Sequence, residues 1–290
     1  MGLLMKRLAL AVSVFAASAM GASAADMAVK APRYQAPEAA TSTWTGFYVG
    51  ASLGGEQTNA NWTTTSISVV APGFGNPPAT VDGSSPRRFS PSSGRYGGFA
   101  GYDYQFAPRW VAGIILDAAY FDSTVTTVGA PGCTITCILG VPGPGVDVSS
   151  VRAKWDADVR GRLGYLVTPD VLLYGTGGIA FQNFSNSITC QTSLTDPLCG
   201  PTAVPASATA TNNSTRTGWT AGVGVDAKIF ENWMLRAEYR YSDFGTWSNS
   251  LQLVSPGASV VTVATNLKIN THIGMIGIAY KFGGPVVARY

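Results

Sequence analysis

Charged residues recur at every second position in several short stretches of this chain. Asp156, Asp158, Arg160 and Arg162 follow one another at intervals of two, with Lys154 in the same phase, and Arg236, Glu238 and Arg240 repeat the pattern. Arg95 and Asp103, Asp117, and Asp226 hold matching places in three other stretches. Side chains two apart share one face of a β-strand. Carboxylates sharing a face could do acid–base chemistry if their surroundings set their protonation apart. Here, acids and bases are nearly equal in number, which favours mutual neutralisation through ion pairs and hydrogen bonds. A narrow gated path for water or ions is the remaining reading of the same face.

Other reactive groups are sparse. A serine hydrolase acting on lipid needs a Ser and a His within reach of each other, oriented by an acid. The only histidine, His272, is followed by Ile273 and Gly274, with no Ser within two residues. This reads as a rim residue, and no catalytic activity is expected. The glycines of Gly161-x-x-Gly164 and of GTGG at 175–178 read as close-packing positions in strands, because no helix follows to cradle a phosphate. Asn212-Asn213-Ser214-Thr215 contains an incidental glycosylation pattern. The basic residues are scattered, so nucleic acid is not an expected partner.

Four cysteines lie as Cys133-x3-Cys137 and Cys190-x8-Cys199. No His or carboxylate cluster accompanies them, so zinc is disfavoured and no cofactor is expected. Two local disulfides, Cys133 with Cys137 and Cys190 with Cys199, are favoured among the three connectivities because short loops close most easily.

The elements that must position the charges are strands. In AKWDADVRGRLGY (153–165), Trp155, Ala157, Val159, Leu163 and Tyr165 oppose the charged face. A three-residue turn leads to VLLYGTGGIAF (171–181), whose outward face the sequence leaves open. The same alternation marks WTGFYVGASLGG (44–55), residues 94–106, WVAGIILDAAY (110–120), RTGWTAGVGVDAK (216–228), WMLRAEYRYSDF (233–244) and NTHIGMIGIAYKF (270–282). Short turns at Ala107-Pro108-Arg109, Thr168-Pro169-Asp170 and Phe230-Glu231-Asn232 alternate with long Thr/Ser/Gly/Pro-rich loops at 56–92, 122–151 and 183–215, and a fourth precedes the last strand.

The expected fold is all-β: an eight-stranded antiparallel up-and-down transmembrane β-barrel. A soluble barrel would turn its charges outward, whereas a membrane barrel turns its apolar face to lipid. Trp44, Trp110, Tyr120, Trp155, Tyr165, Trp219 and Trp233 sit near strand ends and suit interfacial girdles. An eight-stranded barrel is only wide enough for its side chains to fill it.

Composition agrees. Charged residues make up 12% of the 290 and glycines number 34, so the charged share is low and glycine is abundant. No stretch after residue 25 approaches the roughly 20 apolar residues a membrane helix needs. Residues 1–24 read as a signal peptide: Lys6 and Arg7, an apolar run from Leu8 to Met20, then Ala22-Ser23-Ala24, with Met5 a plausible start. Removing Lys6 and Arg7 takes the formal charge from +3 to +1. Residues 25–43 read as an Ala/Pro-rich periplasmic linker, 44–282 as the barrel and 283–290 as a tail.

WTGFYVGASLGG, WDADVRGRLGY…LLYGTGGIAF, GWTAGVGVDAKIFENWMLRAEYRYSDFG and the closing GIAYKF together resemble the small outer-membrane barrels of alphaproteobacteria, the outer membrane immunogenic, OmpA-like porin-family proteins. That resemblance implies residence in the outer membrane among its lipids, loops exposed as surface antigens, a part in envelope integrity, and no catalytic residues. It admits adhesion to a host or surface ligand through the loops, or a narrow channel for small solutes. Such barrels commonly end on an aromatic residue that the barrel-assembly machinery reads. Here GGPVVARY follows Phe282, and Gly283-Gly284-Pro285 is expected to stop the strand, leaving the signal internal.

Overall fold

A computed structural model describes residues 43–70, 78–133, 147–191, 207–254 and 260–282. The expected signal peptide, most of the linker and the tail lie outside the described residues.

Ten strands follow in order: β1 Gly46–Val70, β2 Pro78–Ala79, β3 Arg87–Phe89, β4 Ser92–Ala107, β5 Trp110–Val128, β6 Val148–Thr168, β7 Val171–Gln191, β8 Ser207–Phe230, β9 Trp233–Val254 and β10 Val260–Phe282. The eight long ones pair antiparallel with their sequence neighbours, and β10 closes on β1 from Phe47↔Phe282 to Val70↔Val260. The short β2 and β3 lie against the outer half of β1. In the half nearer the short turns the ring is closed, as hydrocarbon demands. Farther up, β5 beyond Tyr120 pairs only with β6, β8 before Trp219 only with β7, and β9 beyond Asp243 only with β10. The three expected short turns are the ones that separate β4 from β5, β6 from β7 and β8 from β9.

The eight-strand count agrees with the sequence reading; the strand lengths do not. A tilted membrane strand needs about 9–11 residues, whereas β1 has 25 and β10 has 23. Much of what reads as loop in 56–92, 122–151, 183–215 and before residue 270 is strand. Threonine and valine there favour extended backbone, and partners on both sides satisfy it.

Apolar side chains change faces along these strands. On β10, Ile276, Ile278 and Phe282 point outward, while Val261, Val263, Leu267, Ile269 and Ile273 are buried inside. On β7, Leu173, Ile179 and Phe181 are outward, and Phe184 and Ile188 are inside. This also settles the face of β7 that the sequence left open. The barrel therefore has two halves. Near the short turns it is apolar outside, and its interior holds charged residues together with a small apolar cluster of Trp44, Val111, Ile115, Leu166, Leu172 and Met234. Beyond that it is a tower with an apolar core of Trp62, Phe89, Phe121, Trp247, Leu251 and their neighbours.

Outward aromatic pairs bracket the apolar belt. Trp110 faces Tyr165 at the turn end, with ring centroids 5.3 Å apart, and Tyr120 faces Trp155 ten residues up β5. Ten residues span about 33 Å of strand, or about 25 Å of height at the usual tilt, the height of a barrel's lipid-facing band. Trp219 and Trp233 also point outward. Trp44 departs from the girdle reading, because it is fully buried. It precedes β1 and turns into the barrel mouth, where its indole N–H donates to the Pro169 carbonyl at 2.9 Å. The ammonium groups of Lys228 and Lys281 stand 4.6 and 5.7 Å from its ring.

Candidate interior site

Eleven of the twelve charged residues expected inside are buried there: Arg95, Asp103, Asp117, Asp156, Asp158, Arg160, Arg162, Asp226, Arg236, Glu238 and Arg240. Alternation along β4, β5, β6, β8 and β9 delivers them to one cross-section, and they form two tiers.

In the tier nearer the tower, Arg240 contacts Asp117, Asp156 and Asp158, and Arg95 contacts Asp117 and Asp156. Arg160 joins Asp158 at 2.6 Å and also contacts Glu238. Asp117, Asp156 and Asp158 could each offer an oxygen within 4.8 Å of the others, close enough to share a cation. Three guanidinium groups already supply that positive charge, so the carboxylates read as arginine-neutralised rather than as a metal cradle.

In the tier nearer the turns, Asp226 takes Arg162 at 2.7 Å and Arg236 at 2.8 Å, the latter through two parallel hydrogen bonds. Asp103 lies 3.6 Å from Arg162. Aromatic faces complete this tier: the Arg236 guanidinium is 4.3 Å from the Phe99 ring centre, and Arg162 is 4.1 Å from that of Tyr174. The Tyr174 hydroxyl donates to Glu238 at 2.8 Å and ties the tiers together. Gly101 and Gly224 make room for this packing, since a Cβ at either would collide with the ring of Tyr48 or Tyr174.

Lys154, expected with the inward set, is the exception. The pairing of β6 shifts between Ala153 and Asp156, so two residues rather than one separate these inward positions. That bulge removes Lys154 from the inward face. It is half-buried and near Asp122, whose carboxyl lies beyond the Tyr120–Trp155 girdle and is held below its usual range chiefly by a hydrogen bond from Arg152.

Sequence reasoning missed the aromatic members Tyr48, Phe99 and Tyr174. Phe99 shares the phase of Arg95 and Asp103 on β4 and Tyr48 that of Glu56 on β1, whereas β7, which carries Tyr174, has no charged residue to mark a phase. It also missed Glu56, buried above the tiers and accepting from Thr58 at 2.7 Å and Gln182 at 2.6 Å. Cys133 and Cys190 are each disulfide-bonded. Cys137 and Cys199, the expected local partners, lie outside the described residues.

Comparison with known proteins agrees with this architecture. The description "Outer membrane protein beta-barrel domain" matches residues 8–282. The 31 kDa outer-membrane immunogenic protein of Brucella melitensis biotype 1 is 31% identical over 285 residues, spanning 95% of this chain and 98% of the relative. The 25 kDa outer-membrane immunogenic protein of the same organism is 27% identical, spanning 90% and 91%. Among solved structures, the attachment invasion locus protein Ail of Yersinia pestis aligns over 82% of this chain and 99% of its own, at 14% identity and a TM-score of 0.35. The outer membrane protease OmpT of Escherichia coli aligns over 82% and 97%, at 11% identity and a TM-score of 0.46. A lipid-facing belt around a polar interior, closed by eight strands and matched by this family over nearly its whole length, makes the chain a member of the outer membrane protein β-barrel family, resident in the cell outer membrane.

Proposed function

We propose that this protein is a structural outer-membrane barrel without catalytic activity, whose closed membrane half anchors a rigid tower and presents it at the cell surface. The observation that carries this reading is the paired interior. Five arginines and six acids fill the cross-section in two tiers, and a fully buried Trp44 stands below them at the turn end. Opening a water path would require separating these pairs and rehydrating each charge. Breaking a single buried pair typically costs about 3–5 kcal/mol. Carboxylates whose oxygens are engaged by arginine are also poorly placed to take or deliver a proton to a substrate.

The tower supports the display role. Its outer surface carries Thr, Ser and Asn, its core is apolar, and its strands continue those of the membrane half. The segments it carries are therefore held on paired strands rather than on long free loops. Envelope integrity is the role that such a rigid anchor serves.

Refolded protein in planar bilayers tests the reading. The expected record shows no ohmic steps above the lipid background. A reproducible conductance that changes in Arg236→Ala or Glu238→Ala would replace the closed barrel with a narrow solute channel.

A further inference from the structure

The outer wall differs around its girth, and one strip has an organisation that the belt and the tower do not require. In the belt, β4, β1 and β10 present Tyr96, Leu53 and Ile276 outward. One pleat further up, three glycines stand side by side: Gly94 pairs with Gly55, and Gly55 with Gly274, whose other neighbour is Tyr239. A Cβ at Gly55 or Gly274 would meet nothing within 4 Å. The result is a depression of about 460 Å³, lined by Gly55, Gln57, Ser92, Ser93, Tyr239 and His272 among others. Tyr239 and His272 are joined by a hydrogen bond of 2.7 Å between Oη and Nδ1.

Above the notch the surface becomes polar in a fixed order. Gln57 lies beside His272, and Asn59 lies beside Asn270, with an amide hydrogen bond of 3.2 Å between the asparagines. The next outward row is Arg88, Asn61 and Lys268 on three adjacent strands, all exposed. Among the described residues, neither cation forms an ion pair. Their strands are two spacings apart, so their Cα atoms stand about 10 Å from each other. Two long side chains can converge on one anion across that gap. The acid beside this strip, Asp243 next to Asn270, accepts from the Gly245 N–H and the Tyr241 hydroxyl. Glu56, which reaches the floor of the notch, is engaged inward by Thr58 and Gln182.

We infer that this strip seats one phosphorylated glycolipid of the outer leaflet. An acyl chain runs over the belt, past the Tyr96 ring that lies against Gly94, into the notch at Gly55 and Gly274, where the surface is open. The sugar meets the Tyr239–His272 pair and the amides of Gln57, Asn59 and Asn270, which supply both donors and acceptors. The phosphate lies between Arg88 and Lys268. Apolar surface, notch, amides and cations thus succeed one another in the order that chain, sugar and phosphate take in such a lipid.

Native mass spectrometry of the full refolded chain in detergent, with lipid A as the probe, tests the assignment. Wild type is expected to retain one lipid A. Retention should fall at least tenfold with the dephosphorylated lipid and in the Arg88→Gln/Lys268→Gln double variant. Gly55→Leu, which fills the notch while leaving both cations in place, should lower retention as well. Lys154→Gln, on β6 across the ring, should leave it unchanged. No retained lipid by wild type, equal retention in the double variant, or an equal loss in Lys154→Gln would overturn the assignment. Displacement by millimolar inorganic phosphate would do the same, by identifying a free-anion site instead.

Discussion

The membrane half and the tower are built from one set of strands that run on through register shifts in β5, β6 and β10, yet they solve opposite solvent problems. In the membrane half, the outer face is apolar and Arg95, Arg240 and Asp226 stay inside with their partners. In the tower, Trp62, Leu251 and Val263 are inside, while Asn61, Thr209, Thr211 and Asn213 are outside. Backbone pairing differs too: the membrane half closes the ring, as lipid demands, whereas in the tower β8 and β9 part above Trp219↔Asp243 and β4 and β5 above Tyr96↔Tyr120, leaving edges that water can satisfy. So does the source of cohesion. Complementary charge fills most of the membrane interior above a small apolar cluster at the turn end, whereas the tower relies on burial of apolar area from water. Removing a side chain should therefore fail differently in each half.

The largest effect is expected from Arg240→Ala. This guanidinium touches three carboxylates. Its loss leaves Asp117 and Asp156 to share Arg95 and Asp158 to share Arg160 with Glu238, one positive charge short in a buried interior, at a cost of about 3–5 kcal/mol. Urea unfolding in lipid vesicles should show the whole barrel losing stability. A midpoint equal to wild type would mean that water already neutralises the tier. Next comes Leu251→Ala in the tower, at about 2–5 kcal/mol from lost burial and the cavity left behind. Here the damage should be local: protease should cut the tower while heat-modifiable gel migration, which reports the membrane half, persists. Loss of both together would show the halves to be one cooperative unit. On the outer face, Ile278→Arg in the belt should cost about 2–4 kcal/mol. Thr262→Arg, far up the same strand, should change stability by no more than about 0.5 kcal/mol. Similar costs at both depths would move the membrane boundary from where the girdles place it.

The membrane half was legible in the sequence because its alternation is strong in both phases. Asp156, Asp158, Arg160 and Arg162 against Val159, Leu163 and Tyr165 leave no doubt about face or period. The tower was not, because its outer residues are the Thr, Ser and Asn that also fill loops. The missing signal was a change of phase. From Val261 to Ile273 the apolar residues of β10 sit at odd positions, and from Ile276 to Phe282 at even ones. A face that turns from apolar to polar partway along an unbroken strand marks the passage from lipid to water. Lys154 misled for a different reason, since a bulge shifts parity without leaving any mark in composition. Tyr48 lies on the smaller, more polar face of β1, and Tyr174 on a strand without charges to mark its inward face; tyrosine is equally at home in a girdle, so residue type could not sort them.

Trp44 is where the contrast between the halves is least sharp, and it supplies the smallest expected effect. It is a large apolar ring inside the membrane half, at the mouth, where the tower's rule of burial would apply. Its surroundings are mixed: it belongs to the apolar cluster of Val111, Ile115, Leu166, Leu172 and Met234, yet two ammonium groups stand near its ring, and the Lys281 ammonium donates to the Thr43 carbonyl at 2.7 Å. Trp44→Phe keeps an aromatic ring at this position and removes the N–H that donates to Pro169. The expected loss is that of one hydrogen bond, about 0.5–1.5 kcal/mol, read as a small shift of the urea midpoint with gel migration unchanged. A loss as large as that of Arg240→Ala would mean that the ring is cohesive in its own right, as tower residues are. No loss would mean that the segment ahead of β1 does not fill the mouth in lipid. A small, hydrogen-bond-sized loss would place Trp44 as a floor to the charged tiers, a residue that finishes the membrane interior without holding it together.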